Sequence, residues 1–208
     1  MQTILIFRRA ARVLAHWVAL GFFGALAFSS GQAFLASGSA LAFGLLAVNA
    51  LFLALFLCRR GALAVDGSPL AWLLGVGCTL LPLLPRPSGA GPGGGLAGLG
   101  LALQLLGLVL IVAALLSLGR SFGVVAAHRG IRTGGLYRWV RHPLYAAELL
   151  FLLGFTLAHA SVWNAGVWLL AALFQALRAG LEERLLAGDP GYRAYRLRCP
   201  FRFLPWVW

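Results

Sequence analysis

The stretch Gly134-Gly135-Leu136-Tyr137-Arg138-Trp139-Val140-Arg141-His142-Pro143-Leu144-Tyr145 sits between two long apolar runs and decides how the chain is folded. It gathers Arg, His and Tyr in a sequence that is 61% hydrophobic, 11% charged and has a mean hydropathy of +0.90. That balance lies far from a soluble domain and predicts an all-α, polytopic transmembrane helical bundle. The formal charge of +12 does not point to nucleic acid, because the arginines fall between apolar runs rather than on one solvated face.

Working outward, apolar segments run over Val13–Ala36, Ala40–Cys58, Pro69–Pro85 and Leu96–Leu118, each near the length that crosses a ~30 Å hydrocarbon core. Leu144–Ala158 and Val162–Leu181 follow as a tight helical hairpin about His159-Ala160-Ser161. About six spans place both termini on one side. Sixteen of the 17 arginines then fall on that side and only Arg86 on the other, so the positive-inside rule makes the polar stretch and the tail cytoplasmic. The run after Arg8, Arg9 and Arg12 is too long for a signal-peptide core and is expected to be a retained first helix. Residues 86–95 read as a flexible outer loop of Gly and Pro. Asp189-Pro190-Gly191 breaks the last helix, and the tail beyond is expected to lie on the membrane surface, with Trp206 and Trp208 as interfacial anchors.

All 17 basic residues are Arg, a bias expected of GC-rich bacterial coding and hence of a bacterial inner-membrane protein. Cys58, Cys78 and Cys199 are scattered, lack metal or redox spacing, and read as apolar fillers; no metal site is expected. His16, Gln32, Asn49 and Gln104 are single polar residues within spans, expected to hydrogen-bond between helices.

If Pro143 occupies the first turn of its helix, Arg141, His142 and Tyr145 cluster at that helix's mouth, where free N–H groups and the helix dipole favour an anion. Gly130, Gly134 and Gly135 would let the preceding loop approach a ligand. Arg132, Arg138 and Trp139 read as interfacial anchors. Of five acids in the chain, Glu182 and Glu183 are adjacent at the end of the last span. The hairpin returns them to Arg141 and His142, and opposed Arg and Glu clusters suit a zwitterion. Glu148, one turn after Tyr145, is either a functional acid inside the membrane or a partner for Arg178 or another basic neighbour.

Leu118-Gly119-Arg120-Ser121-Phe122, Thr133-Gly134-Gly135-Leu136-Tyr137, Arg141-His142-Pro143-Leu144-Tyr145, the pair Glu182-Glu183 after 36 intervening residues, and the tail's Gly191-Tyr192, Tyr195 and Cys199-Pro200 resemble the isoprenylcysteine carboxyl methyltransferase and phospholipid methyltransferase family. The likeness covers residues 118–205 and departs where the family often has Pro at Leu136, Gly at Ala147 and a basic residue at Phe201. It implies a membrane methyltransferase core over residues 96–208, with N-terminal helices over 1–95 that carry no resemblance. It further implies S-adenosylmethionine bound at the cytoplasmic side by Tyr137, Arg141, His142, Pro143, Tyr145, Glu182, Glu183 and Tyr192. A lipophilic acceptor would come from the bilayer, with isoprenylcysteine-type carboxyl O-methylation expected and N-methylation of a phospholipid or small amine as the alternative. Arg178 is then the candidate to orient a carboxylate acceptor, and Glu148 or His142 the candidate base for an amine. Two rivals remain on sequence grounds: an NADPH-dependent sterol-reductase-like enzyme and a non-catalytic scaffold or transporter.

Overall fold

The computed structural model describes residues 2–87 and 95–207, with side chains from Trp17 onward; the expected outer loop lies largely outside these, as do Trp208 and the side chain of His16. The chain is helical almost throughout. It divides into two compact units, 1–58 and 59–208, so the boundary expected at residue 95 falls within the second.

The first unit is a helical hairpin of α1 (Gln2–Ser37) and α2 (Ala40–Cys58), turning at Gly38, whose φ of 60° suits a residue without Cβ. Phe23 stacks on Phe52 with centroids 5.6 Å apart and meets Phe56 at 5.7 Å. Asn49 donates to Ser30 Oγ at 2.7 Å, the interhelical bond expected of a lone polar residue in a span.

In the second unit, β1 (Ala64–Val65) precedes α3 (Pro69–Leu80), which starts on a Ser68 cap with Pro69 in its first turn and ends in a 3-10 turn at Leu81–Leu83. Then come α4 (Gly95–Leu118), β2 (Ala127–His128), α5 (Pro143–Ala158), α6 (Val162–Leu186) and α7 (Pro190–Arg198). Four described helices are long and apolar enough to cross a membrane: Trp17–Ser37, Ala40–Cys58, Leu96–Ser121 and Val162–Leu186. The remaining two expected spans, Pro69–Leu83 and Pro143–Ala158, are present as shorter apolar helices. Large apolar side chains point outward along these helices, Val109, Leu116 and Leu169 among them. On a chain of this hydropathy such faces are lipid-facing, and the protein is an integral membrane protein.

Two antiparallel pairings position the site. α5 and α6 form the expected hairpin, turned by Ser161, which caps α6 through Asn164 N at 3.1 Å. Asn164, fully buried, also accepts from Arg86 N and donates to Arg86 O, both at 2.9 Å, tying the chain after α3 to the start of α6. α4 and α5 pack against each other along their lengths through glycines. A Cβ at Gly107 would come within 2.8 Å of the Phe151 backbone, and one at Gly154 within 2.5 Å of Gly100 O and 2.7 Å of Gln104 N. Small residues let two helices approach closely where lipid gives no hydrophobic drive to associate.

The pairing of β1 with β2 is not legible in the sequence. Ala64 pairs with His128 and Val65 with Ala127, and Arg60 N donates to Arg120 O at 2.7 Å. The segment between α4 and α5 is thereby pinned across the polar end of the unit. Because the two closest contacts at Gly154 are with backbone, Gly154→Ala must move a helix. We expect it to cost about 1–3 kcal/mol, read as a lower unfolding temperature in detergent, whereas Gly166→Ala, with no heavy atom within 4 Å of the added Cβ, leaves that temperature unchanged.

Candidate functional site

The hairpin of α5 and α6 carries a ladder of polar contacts rising to the end where α5 begins. Gln175, Arg178 and Glu182 recur at three- and four-residue spacing and so share one face of α6. They meet α5 in order: Gln175 Nε2 donates to Glu148 Oε2 at 2.6 Å, the Arg178 guanidinium lies 4.7 Å over the Tyr145 ring, and Tyr145 Oη donates to Glu182 Oε1. Arg178 Nε is 3.6 Å from Glu182 Oε1, and Arg178 Nη2 donates to Gly123 O at 3.1 Å.

Glu183, one residue on and so about 100° around the helix, faces elsewhere. It is 5% exposed and takes Arg141 Nε at 2.9 Å, Arg202 Nη2 at 2.9 Å and His142 Nε2 at 3.2 Å. The His142 ring also reaches Glu182 Oε2 through Nδ1 at 3.9 Å and stacks on Tyr145 with centroids 5.4 Å apart. Thus the opposed Arg and Glu clusters of the sequence are brought together, but Arg141, His142 and Glu183 largely satisfy one another.

Pro143 opens α5 as expected, with His142 as its cap. The N–H groups before it are not free for an anion: Arg141 N donates to Phe201 O at 2.9 Å and His142 N to Arg202 O at 2.8 Å. Arg141 Nη1 donates to Cys199 O at 2.9 Å and also to Pro200 O. The tail is therefore part of the site's frame, not only a surface segment. Asp189 caps α7 through Gly191 N at 2.7 Å and holds His128 Nε2 at 2.9 Å, and that imidazole keeps the Asp189 carboxyl below its ordinary range. Tyr192, Tyr195 and Cys199 pack on Ile131 and Leu186, and Tyr195 Oη donates to Tyr137 O at 2.6 Å.

These elements enclose an open cavity of about 870 Å³, counting the space open to solvent. Of the residues expected at the site, Tyr137, Arg141, His142, Tyr145, Arg178, Glu182 and Tyr192 line it. Glu183 and Pro143 stand behind the wall, and Glu148 lies deeper, held by Gln175. Arg132, read as an interfacial anchor, lines the cavity, as does Arg129, which sequence reasoning passed over. Arg202 was missed as well, and no motif marks either. Of the three glycines expected to admit a ligand, Gly130 lines the cavity with φ 92°. Gly135 serves packing instead, since a Cβ there would run into the Ser117 side chain.

Buried polar atoms around the cavity lack partners among the described residues: Tyr192 Oη, Arg129 Nε and Arg178 Nε have no hydrogen-bond acceptor or donor there. Burial pushes the Tyr192 phenol up to about 12, and raises Tyr137 and Tyr195, so all three are neutral near pH 7. A neutral hydroxyl, a carboxylate and guanidinium groups converging on apolar walls make a site for a polar, charged small molecule.

Residues 96–188 match the family described as phospholipid methyltransferase. Among solved structures, the fold is similar to that of a eukaryotic intramembrane Ras methyltransferase, isoprenylcysteine carboxyl methyltransferase. The TM-score is 0.53 at 19% identity, over 92% of this chain and 75% of that one. No curated protein matches the chain in sequence.

The two glutamates are expected to separate on mutation. Glu183→Ala leaves Arg141 buried without its carboxylate, a loss of about 3–5 kcal/mol that should lower the unfolding temperature by roughly 10 °C. Glu182→Gln, which keeps an acceptor for Tyr145 at the cavity wall, should shift it little; equal shifts for the two would overturn the division of roles.

Proposed function

We infer that this chain, whose residues 96–188 match the phospholipid methyltransferase family, is a membrane methyltransferase that uses S-adenosylmethionine and acts on a lipophilic acceptor. The observation that carries the reading is the Arg178–Glu182 pair, 3.6 Å apart at the cavity wall, with Arg178 Nε buried and free of a hydrogen-bond acceptor. An adjacent cation and anion of this kind are complementary to the amino-acid end of the cofactor, whose ammonium suits Glu182 and whose carboxylate suits Arg178. The Tyr192 hydroxyl, buried and without a partner, offers a neutral hydrogen bond to the nucleoside.

Bound there, S-adenosylmethionine supplies an electrophilic methyl group on a sulfonium. The protein's part is positioning and exclusion of water. Tyr145 and His142 stack, and Tyr145 holds Glu182, while Arg141, His142 and Arg202 fix Glu183 behind it. Phe122, Leu144, Leu185 and Leu186 supply apolar wall. The arginine bias supports a cytoplasmic position for this end of the bundle.

A lipid-borne carboxylate, as on an isoprenylcysteine, is the acceptor this site suits best. It is ionised near pH 7 and needs no base, whereas of the two candidate bases for an amine Glu148 stands outside the cavity lining and His142, which lines it, is engaged by Glu183. N-methylation of a phospholipid amine is the second reading, favoured by the family description of residues 96–188.

Purified protein in detergent should bind S-adenosylhomocysteine in isothermal titration. Glu182→Gln should weaken that binding by about tenfold, the ~1.5–3 kcal/mol of a hydrogen bond to a charged group. A flat titration with the unmutated protein would falsify the reading. Membranes labelled from S-adenosylmethionine should carry a base-labile methyl, as an ester does; a base-stable label on lipid amine would move the assignment to N-methylation.

A further inference from the structure

The charges lining the cavity do not balance. Arg178 is matched by Glu182 on its own helix and Arg141 by Glu183 at 2.9 Å. Arg129 and Arg132 also line the cavity, and among the described residues neither has a carboxylate within 4.0 Å.

Both are nevertheless fixed in place. Arg132 Nε donates to Ser121 Oγ at 3.0 Å, and that hydroxyl donates to Arg129 O at 3.1 Å, so a single side chain ties the two arginines together. The Arg129 guanidinium packs against Gly123, where an added Cβ would come within 2.7 Å of its Cζ and displace it. Gly123 O in turn accepts from Arg178, which sets Arg129 beside the proposed cofactor contact. Burial above all, and then the nearby Arg59, lower the Arg129 guanidinium from its ordinary value while Glu182 raises it, yet a guanidinium stays charged at neutral pH. Among the described residues its buried Nε finds no acceptor, and an unsatisfied buried donor is costly.

A cofactor with ammonium, sulfonium and one carboxylate brings net positive charge and deepens this imbalance. An anion corrects it. We propose that Arg129 and Arg132 form the subsite for the anionic group of the methyl acceptor, a carboxylate or a phosphate carried on a lipid chain, distinct from the Arg178–Glu182 contact. The assignment rests on the methyltransferase reading for the word acceptor, but the anion subsite is testable without it. It also relieves Arg178 of the acceptor-orienting role expected from sequence.

The test uses the full chain in phosphatidylcholine nanodiscs, titrated with dodecanoate, dodecylphosphate and, as the uncharged control, dodecanol, with and without saturating S-adenosylhomocysteine. The unmutated protein should bind an anionic amphiphile at least tenfold more tightly than dodecanol, and whichever head group wins names the acceptor's anion. Arg129→Gln and Arg132→Gln should each erase most of that preference while changing the affinity for S-adenosylhomocysteine by less than threefold. Arg129→Lys and Arg132→Lys, which keep the charge, should restore part of it, showing that the loss is not misfolding. Two outcomes overturn the proposal: no preference for anion over alcohol in the unmutated protein, or Gln variants that keep the preference, whatever their affinity for S-adenosylhomocysteine. Failure of the unmutated protein to bind S-adenosylhomocysteine defeats the methyltransferase reading instead, and the titrations without it still decide the anion subsite.

Discussion

A carboxylate buried at the end of a membrane helix is tolerable only when its charge is met on every side, and Glu183 is the point at which this protein satisfies that condition. Three side chains from two separate segments converge on it: Arg141 and His142 from the approach to α5, Arg202 from the tail. Each is held in turn by backbone, since the tail's carbonyls at Cys199, Phe201 and Arg202 receive the Arg141 side chain and the two N–H groups that precede Pro143. The start of α5, the end of α6 and the tail therefore form one interlocked corner. The cavity is the space that this corner leaves between α6, α7 and the segment joining α4 to α5. Its chemistry comes from the neighbours of the locked groups rather than from the locked groups themselves.

The division of labour between Glu182 and Glu183 follows from helical geometry. Adjacent residues diverge by about 100°, so a pair of glutamates at one helix end addresses two environments. Glu182 shares a face with Arg178 and Gln175 and looks across to Tyr145, while Glu183 turns into the corner. A doubled acid is thus an economical device: one member anchors the wall and the other remains available at its surface.

The apolar helices were legible because hydropathy registers transfer from water to lipid one residue at a time. Several of their limits agree with the apolar runs to within a few residues, as at Ala40–Cys58 and at the turn between Ala158 and Val162. Two ends depart where charged residues end the apolar count without ending the helix: α1 begins at Gln2 rather than Val13, and α6 runs to Leu186 rather than stopping at Leu181, through Glu182, Glu183 and Arg184. The site was half legible. Arg141, His142, Tyr145 and Glu182 stand out as polar groups in an apolar chain and recur in a family pattern. The 3.6-residue period also held, unread, the information that Glu183 does not share the face of Arg178. What no local pattern carried were contacts set by distant backbone: the β1–β2 bridge, the tail's carbonyls, Arg202 on Glu183, and Arg129 laid against Gly123. Those depend on where two segments far apart in sequence come to rest, and such a pairing leaves no periodicity behind.

The brevity of α5 has a consequence for the lipid around it. Its 16 residues rise about 24 Å at 1.5 Å each, while a typical hydrocarbon core is ~30 Å thick. The glycines of α4 bind α5 closely, so it cannot slide to make up the difference. Where α5 lies across the bilayer, either the bilayer thins beside it, or its polar mouth at His142 is drawn several ångströms below the level of the headgroups. Membrane thickness then becomes a variable that sets how deep the cavity mouth sits.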